Sequence, residues 1–374
     1  MKICLTCDTY PPDVGGLAIS ARRQAQNLAF AGHSVHLVTL GRELPENEVE
    51  TRLDGLVVVH RLGPATKNRE TLSSWLDLLV ELDREQEFDL FHGHFLVYAG
   101  YLAALAGRTR GKPSVASARG DDLDVFPFDE RRVHFAHAAL EWADRLIAVT
   151  ASLSDKASAL SGRGDVRLIH NGVDAERFAP CPPDGALRQQ TGLDERPVIG
   201  FIGEARAKKG LSRLLRLYAH LFERLEAQLL LVGGVRPEDA QTLEFFLRQH
   251  PGLPVRQVPP LEHAALPPYY ALCDVIVLPS LRDGLPNTLL EAMACARPVV
   301  ASRVGGMIDA VTDGVDGLLL PPRDETAWLD ALESLLGDPQ AALRLGEAAR
   351  RTVQERFTVQ RELEQTLAVY RELI

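Results

Sequence analysis

Apolar residues in the first part of the chain fall into short runs, separated by longer stretches where they recur at helical spacing. Ile3–Cys7, Val35–Thr39, Leu56–His60, Leu90–His92, Ser114–Ser117 and Leu146–Thr150 read as strands. Ala18–Ala31, Leu72–Glu87, Tyr98–Ala106 and Arg131–Ala143 read as helices. A run that is apolar on both faces is a strand covered on both sides, so the alternation predicts βαβ units and a mainly parallel sheet. The rhythm then starts again with Val198–Ile202, Leu229–Val232, Val275–Leu278, Val299–Ala301 and Gly317–Leu320. Beyond Leu320 the pattern is helical to the end, with Ala341–Arg356 and Val359–Leu373 broken around Phe357-Thr358. The predicted fold class is α/β, with two doubly wound sheets in one chain.

Between the two rhythms lie Asn171-Gly172-Val173-Asp174 and the proline-rich stretch Ala179-Pro180-Cys181-Pro182-Pro183-Asp184-Gly185, which lacks periodicity as linkers do. The predicted domains are 1–176 and 177–357, with a hinge near 175–186. At roughly 150 residues per domain, a 374-residue chain accommodates two to three such units. Hydrophobic residues make up 46% and charged residues 25%, values that build a core and exclude a disordered chain. No apolar run reaches the length of a membrane span, and Lys2 and Asp8 interrupt any signal-peptide pattern, so a cytoplasmic protein is expected. The net charge of −10 opposes nucleic-acid binding in general. Cys4 and Cys7 form a CxxC pattern, yet strand residues three apart face opposite sides of a sheet. The five cysteines therefore read as buried thiols, with neither a disulfide framework nor a zinc site.

In open α/β sheets ligands bind at the carboxyl ends of strands, so the loops that follow strands carry the candidate chemistry. After the first strand comes Tyr10-Pro11-Pro12-Asp13-Val14-Gly15-Gly16, whose paired glycines allow close backbone approach at a helix N-terminus. No GxGxxG fingerprint is present, which weighs against a nicotinamide enzyme. The richest region is Leu278-Pro279-Ser280-Leu281-Arg282-Asp283-Gly284-Leu285-Pro286-Asn287-Thr288-Leu289-Leu290-Glu291-Ala292. Here Asp283 follows a buried strand, Pro286 suits the first helical position, and Glu291 lies further along the helix. Two carboxylates flanking a helix N-terminus fit a ligand with hydroxyls at both ends and phosphate between, as in a nucleotide sugar. In Gly203-Glu204-Ala205-Arg206-Ala207-Lys208-Lys209-Gly210, three cations crowd a helix start against its dipole, which favours a bound anion over a merely solvated turn.

Taken in order, these motifs resemble the retaining glycosyltransferases of family four, which have the two-domain GT-B fold. The resemblance runs through Gly15-Gly16, Asp89-Leu90-Phe91-His92-Gly93-His94, Asn171-Gly172-Val173-Asp174 with Phe178, Lys209-Gly210, and Asp283-x7-Glu291-Ala292-Met293. It continues through Val299, Gly305-Gly306 and Asp316-Gly317-Leu318. It implies transfer of a sugar from a nucleotide diphosphate sugar to a glycan, lipid-linked or small-molecule hydroxyl, without a metal ion or other cofactor. It implies an acceptor-side first domain, completed by the helix over 358–374, and a donor-binding second domain facing it across a cleft. The implied catalytic residues are Arg119, Asp283 and Lys209. Donor contacts fall to Gly16, Arg206, Lys209, Gly284, Leu285, Pro286, Asn287, Thr288 and Glu291, with Glu291 on the ribose and Lys209 and Arg206 on the pyrophosphate. Tyr10, Gly15, His94 and Asp122 stand on the acceptor side.

Three positions depart from the family pattern. Asp283 replaces a glutamate, Glu204 stands where an arginine is usual, so that Arg206 or Lys208 would have to supply the missing charge, and Arg119 replaces a histidine. A guanidinium cannot serve as a base at neutral pH, so Arg119 reads as a positioning or charge-stabilising group. Rival readings are a metal-dependent glycosyltransferase of the other common fold through Asp122-Leu123-Asp124, a metal pair at His92 and His94, a nucleotide-sugar epimerase, and a non-catalytic nucleotide-sugar-binding protein. For weak peripheral contact with the inner membrane face, the available cations are Arg108, Arg110, Lys112, Arg131 and Arg132. Such groups more often mark a solvated face.

Overall fold

The computed structural model describes residues 1–13 and 15–374; Val14, within the first glycine loop, lies outside the described residues. The chain divides into two compact units, Met1–Asn171 with Val359–Ile374, and Gly172–Thr358.

In the first unit the strands are β1 (Lys2–Thr6), β2 (Ser34–Leu40), β3 (Val49–Asp54), β4 (Val57–Leu62), β5 (Leu90–Gly93), β6 (Ser114–Ala118), β7 (Arg145–Ala148) and β8 (Arg167–Leu168). They form one sheet in the order β3-β4-β2-β1-β5-β6-β7-β8. Every neighbouring pair is parallel except β3 with β4. β1 lies at the centre, fully buried from Ile3 to Thr6, because its run is apolar on both faces. The short antiparallel strand β3 escaped the sequence reading. Its residues are mostly exposed and polar, and only pairing with β4 makes them a strand. The C-terminal helix Val359–Arg371 belongs to this unit, with Leu367, Val369 and Tyr370 in the core formed by Ile3, Leu5 and Leu37.

The second unit has β9 (Val198–Ile202), β10 (Gln228–Val232), β11 (Val255–Val258), β12 (Val275–Leu278), β13 (Val299–Ser302) and β14 (Leu318–Leu320). Their order is β11-β10-β9-β12-β13-β14, all parallel. Each sheet reverses its winding beside its first strand: at β1/β5 in the first unit and at β9/β12 in the second. Those switch points are where the loops after strands diverge and leave a crevice. Two cores sandwich the second sheet, one around Phe178, Tyr270 and Met293, the other around Leu214, Tyr218 and Trp328.

The chain enters the second unit at Gly172, earlier than the proline-rich stretch had suggested. Of the proposed hinge near 175–186, the first residues already pack onto the second unit. Phe178 is buried in the second unit's core, and Arg350 donates to the carbonyls of Ala175 at 3.3 Å and Phe178 at 3.2 Å. Val173 pairs with Thr358, so the two crossings between units lie next to one another in space. Among the described residues no helix is long and apolar enough to cross a membrane. All five cysteines are free, and burial pushes the Cys7 thiol up to about 12, which makes it inert.

Candidate active site

The first unit's switch point gathers the loops after β1, β5 and β6. Gly15 adopts φ +148, a conformation that side chains rarely enter, and the helix Gly16–Phe30 starts directly behind it. Tyr10, expected on the acceptor side, is instead buried. Its hydroxyl donates to Asp54 Oδ2 at 2.7 Å, and Arg22 grips the same carboxylate with two 2.7 Å bonds. Asp54 ends β3, the strand that was not foreseen.

His92 and His94 do not form a metal pair, because protein partners occupy both nitrogens of each ring. His92 meets Tyr370 at 2.6 Å through Nδ1 and Ser117 at 2.7 Å through Nε2. His94 meets Ser20 at 2.9 Å through Nε2, while the Gln24 amide at 2.6 Å and Arg119 Nη2 at 2.8 Å lie against Nδ1. Burial, reinforced by the Arg119 charge, holds His94 well below the usual imidazole range and lowers His92 to about 3. Both rings are neutral at physiological pH.

Arg119 is the centre of this cluster. Asn171 Oδ1 accepts from its Nη1 at 2.8 Å, which gives the first residue of the Asn-Gly-Val-Asp motif a physical task. Burial lowers its pKa to about 10, so it remains a cation at pH 7. Its Nε is buried without a hydrogen-bond partner among the described residues, and a donor left in that state is a costly feature unless a ligand meets it. Asp122, expected on the acceptor side, is taken up by the backbone. It accepts from Arg119 N at 2.9 Å, Gly120 N at 2.7 Å and Leu96 N at 3.2 Å, so it braces the loop that presents Arg119. Asp124, the other carboxylate of the Asp-Leu-Asp pattern, pairs with Lys156.

One acid here went unnoticed in the sequence. Asp8, just past β1, is raised to about 7 by burial, and its Oδ1 has no partner among the described residues. The only signal for it was its position at the end of the first strand.

In the second unit, Gly210 and Gly305 draw the candidate loops together. Gly210 has φ +81, and a Cβ there would run into the Pro279 carbonyl; Leu281 N also donates to Lys208 O at 2.9 Å. Gly305 has φ +52 and packs against the Asp283 carbonyl, while Gly306 N donates to Gly284 O at 2.8 Å. The result is an ion pair between Lys209 and Asp283, two residues that sequence reading placed at the site from different loops. Lys208 and Lys209 stand in a 3₁₀ turn, Ala207–Lys209, ahead of the helix Leu211–Arg224, and not in its first turn.

Arg206 keeps one donor unmatched: its Nε is buried without a hydrogen-bond partner among the described residues. Arg206 lies 3.4 Å from Glu204, and Arg236, which sequence reading overlooked, grips the same carboxylate at 2.9 Å. The helix Asn287–Ala294 begins one residue later than foreseen. Pro286 sits in the cap position with φ −66 and ψ 129, and no side chain caps the helix. Leu285 is buried in the core, and Thr288 lies close beside Gly203. Glu291, on the same helix, is 2% exposed, and both its oxygens are bonded: Tyr270 donates to Oε2 at 2.7 Å, and His263 Nε2 lies 2.8 Å from Oε1.

Comparison with known proteins identifies the family and the fold. Residues 14–177 match the pattern of Glycosyltransferase Family 4, and residues 196–338 that of Glycosyl transferases group 1. D-inositol 3-phosphate glycosyltransferase 1 of Catenulispora acidiphila is 30% identical, over 97% of this chain and 92% of that protein. Among solved structures, sucrose-phosphate synthase of Thermosynechococcus elongatus superposes with a TM-score of 0.84 at 26% identity, covering 100% of this chain and 99% of the other. The Anabaena protein HepE in complex with UDP-glucose shares the fold, with a TM-score of 0.83 at 19% identity and all of both chains covered. The chain belongs to glycosyltransferase family 4, and it is a hexosyl-transferring enzyme of the GT-B fold.

Proposed function

We propose that the protein is a retaining glycosyltransferase that takes its sugar from a nucleotide diphosphate sugar and needs no metal ion. The observation that carries this reading is the layout at the β9/β12 switch point. Asp283 and Glu291 flank the uncapped start of the helix Asn287–Ala294, and Lys209 is fixed against Asp283 from the neighbouring loop. In this reading Glu291 takes the ribose hydroxyls, the helix N-terminus faces phosphate, and Asp283 meets the donor sugar. Lys209 supplies fixed positive charge where the leaving diphosphate gains negative charge, so it acts more strongly in the transition state than in the ground state. A lysine in this place takes over the charge neutralisation that a divalent cation supplies in metal-dependent transferases.

The acceptor is received by the first unit, where, among the described residues, Arg119 offers a buried, unmatched N–H and Asp8 an unmatched carboxyl oxygen. Sugar phosphates and other small polyols are the acceptor class that the similarity to an inositol-phosphate glycosyltransferase supports. The protein should be incubated with UDP-, GDP- and ADP-sugars and a panel of polyol acceptors, and the products followed by mass spectrometry and by NMR of the anomeric proton. A product of retained configuration from one donor supports the reading. Inverted configuration overturns the retaining mechanism, and donor binding without any transfer or donor hydrolysis overturns the reading in favour of a non-catalytic binding protein.

A further inference from the structure

We propose that His263 and Tyr270 are positioning residues for Glu291, holding its carboxylate so that each oxygen keeps one lone pair for the two vicinal hydroxyls of a nucleotide ribose. The inference rests on the reading of Glu291 as the ribose-binding side chain.

A carboxylate as buried as Glu291, whose side chain is 3% exposed, must find donors, and it finds one for each oxygen. Tyr270 donates to Oε2 at 2.7 Å and His263 Nε2 lies 2.8 Å from Oε1. Each carboxylate oxygen has about two acceptor directions, so one donor apiece leaves one apiece. That remainder matches what a vicinal diol requires, and with both oxygens anchored the carboxylate cannot rotate to offer anything else. Tyr270 is fully buried, and burial beside Glu291 holds its hydroxyl well above the usual phenol range, so it stays protonated and remains a donor.

The two donors are themselves fixed. Phe178, 1% exposed, packs its ring 5.0 Å from the His263 ring and 6.0 Å, edge to face, from the Tyr270 ring. The arrangement therefore draws on three parts of the second unit that no local motif connects: Phe178 near its start, the segment 263–270 between β11 and β12, and the helix that carries Glu291.

The test uses the whole protein and titration calorimetry. Uridine, guanosine and adenosine diphosphates are compared first; the one bound tightest is then measured beside its 2′,3′-dideoxy counterpart, for wild type, Tyr270→Phe, His263→Gln and Glu291→Gln. The expected result is that Tyr270→Phe and His263→Gln each weaken the ribonucleotide about tenfold, the size of one hydrogen bond to a charged group, and weaken the dideoxynucleotide by less than about twofold. Equal losses for both nucleotides would show a merely structural role, and unchanged affinity for both would show none; either overturns the proposal. His263 is 27% exposed at its side chain, so its variant carries the test if Tyr270→Phe does not fold. Glu291→Gln separates the two levels. If it weakens both nucleotides equally or neither of them, the ribose reading of Glu291 falls and this proposal with it. If it selectively weakens the ribonucleotide while the other two variants do not, only the positioning role falls.

Discussion

Lys209 shows at the residue scale how a loop reading changes once its partner is known. The sequence offered two adjacent lysines, of which the resemblance assigned the pyrophosphate to Lys209. The structure pairs Lys209 with Asp283, while the backbone of Lys208 is what meets the β12 loop, its carbonyl accepting from Leu281. In a 3₁₀ turn neighbouring side chains diverge by about 120°, so the two cations cannot act on the same oxygen. Lys209→Ala should lower kcat by about 100- to 1,000-fold, the typical loss of one preorganised charge stabiliser, with a small change in melting temperature; Lys208→Ala should do far less. Steady-state kinetics at saturating donor check this, and near-normal turnover in both variants would return the loop to a solvated helix start. Asp8 gives a second prediction, on pH. Its folded pKa of about 7 lies above the ordinary value of 3.8, so between those limits the folded protein holds a proton that the unfolded chain has released. Stability contributed by this group is therefore lost as pH rises from about 4 to about 7, by on the order of 1.4 kcal/mol for each unit of difference. Asp8→Asn should raise the melting temperature at pH 8 and leave it nearly unchanged at pH 4, and an equal gain at both would disprove the assignment.

Elements differ in how far they can be read from their own residues. β9 and β12 were placed to the residue, because each is an apolar run bounded by polar or turn-forming positions. β3 was missed because its strand character comes from pairing with β4, and β8 because two exposed residues carry no periodicity. The final helix was legible as a helix, but its place was known only by resemblance. In the structure it is held in the first unit by Tyr370 on His92 at 2.6 Å and by Glu362 on Arg23 at 3.0 Å. Tyr370→Phe would leave a buried imidazole nitrogen without its partner, at a cost of about 1–3 kcal/mol. Urea unfolding should show that loss in the midpoint without a change of slope; an unchanged midpoint would mean that the bond contributes nothing.

At the scale of the whole molecule, a site that neutralises diphosphate with lysine should work without a divalent ion. Product formation should survive dialysis against EDTA, and activity that is lost and then restored by Mg²⁺ or Mn²⁺ would sink that reading. The matching nucleotide sugar should add about 2.7 kcal/mol of stability at 100 times its Kd, measurable as a thermal shift.

What the sequence determined by itself is what depends on local repetition and on short loops. The two α/β rhythms and the strands at both switch points could all be read from spacing, and the order of the motifs pointed to the family. The tertiary structure alone decided which polar groups were already satisfied. Tyr10 and Asp122 carry the right chemistry for an acceptor site, yet Asp54 holds the first and three backbone N–H groups hold the second. Arg236 is likewise tied to Glu204, and the two oxygens of Glu291 are met by His263 and Tyr270. A buried polar side chain takes its role from whichever partner completes its hydrogen bonds, and those partners lie tens of residues away along the chain, where no local pattern reaches.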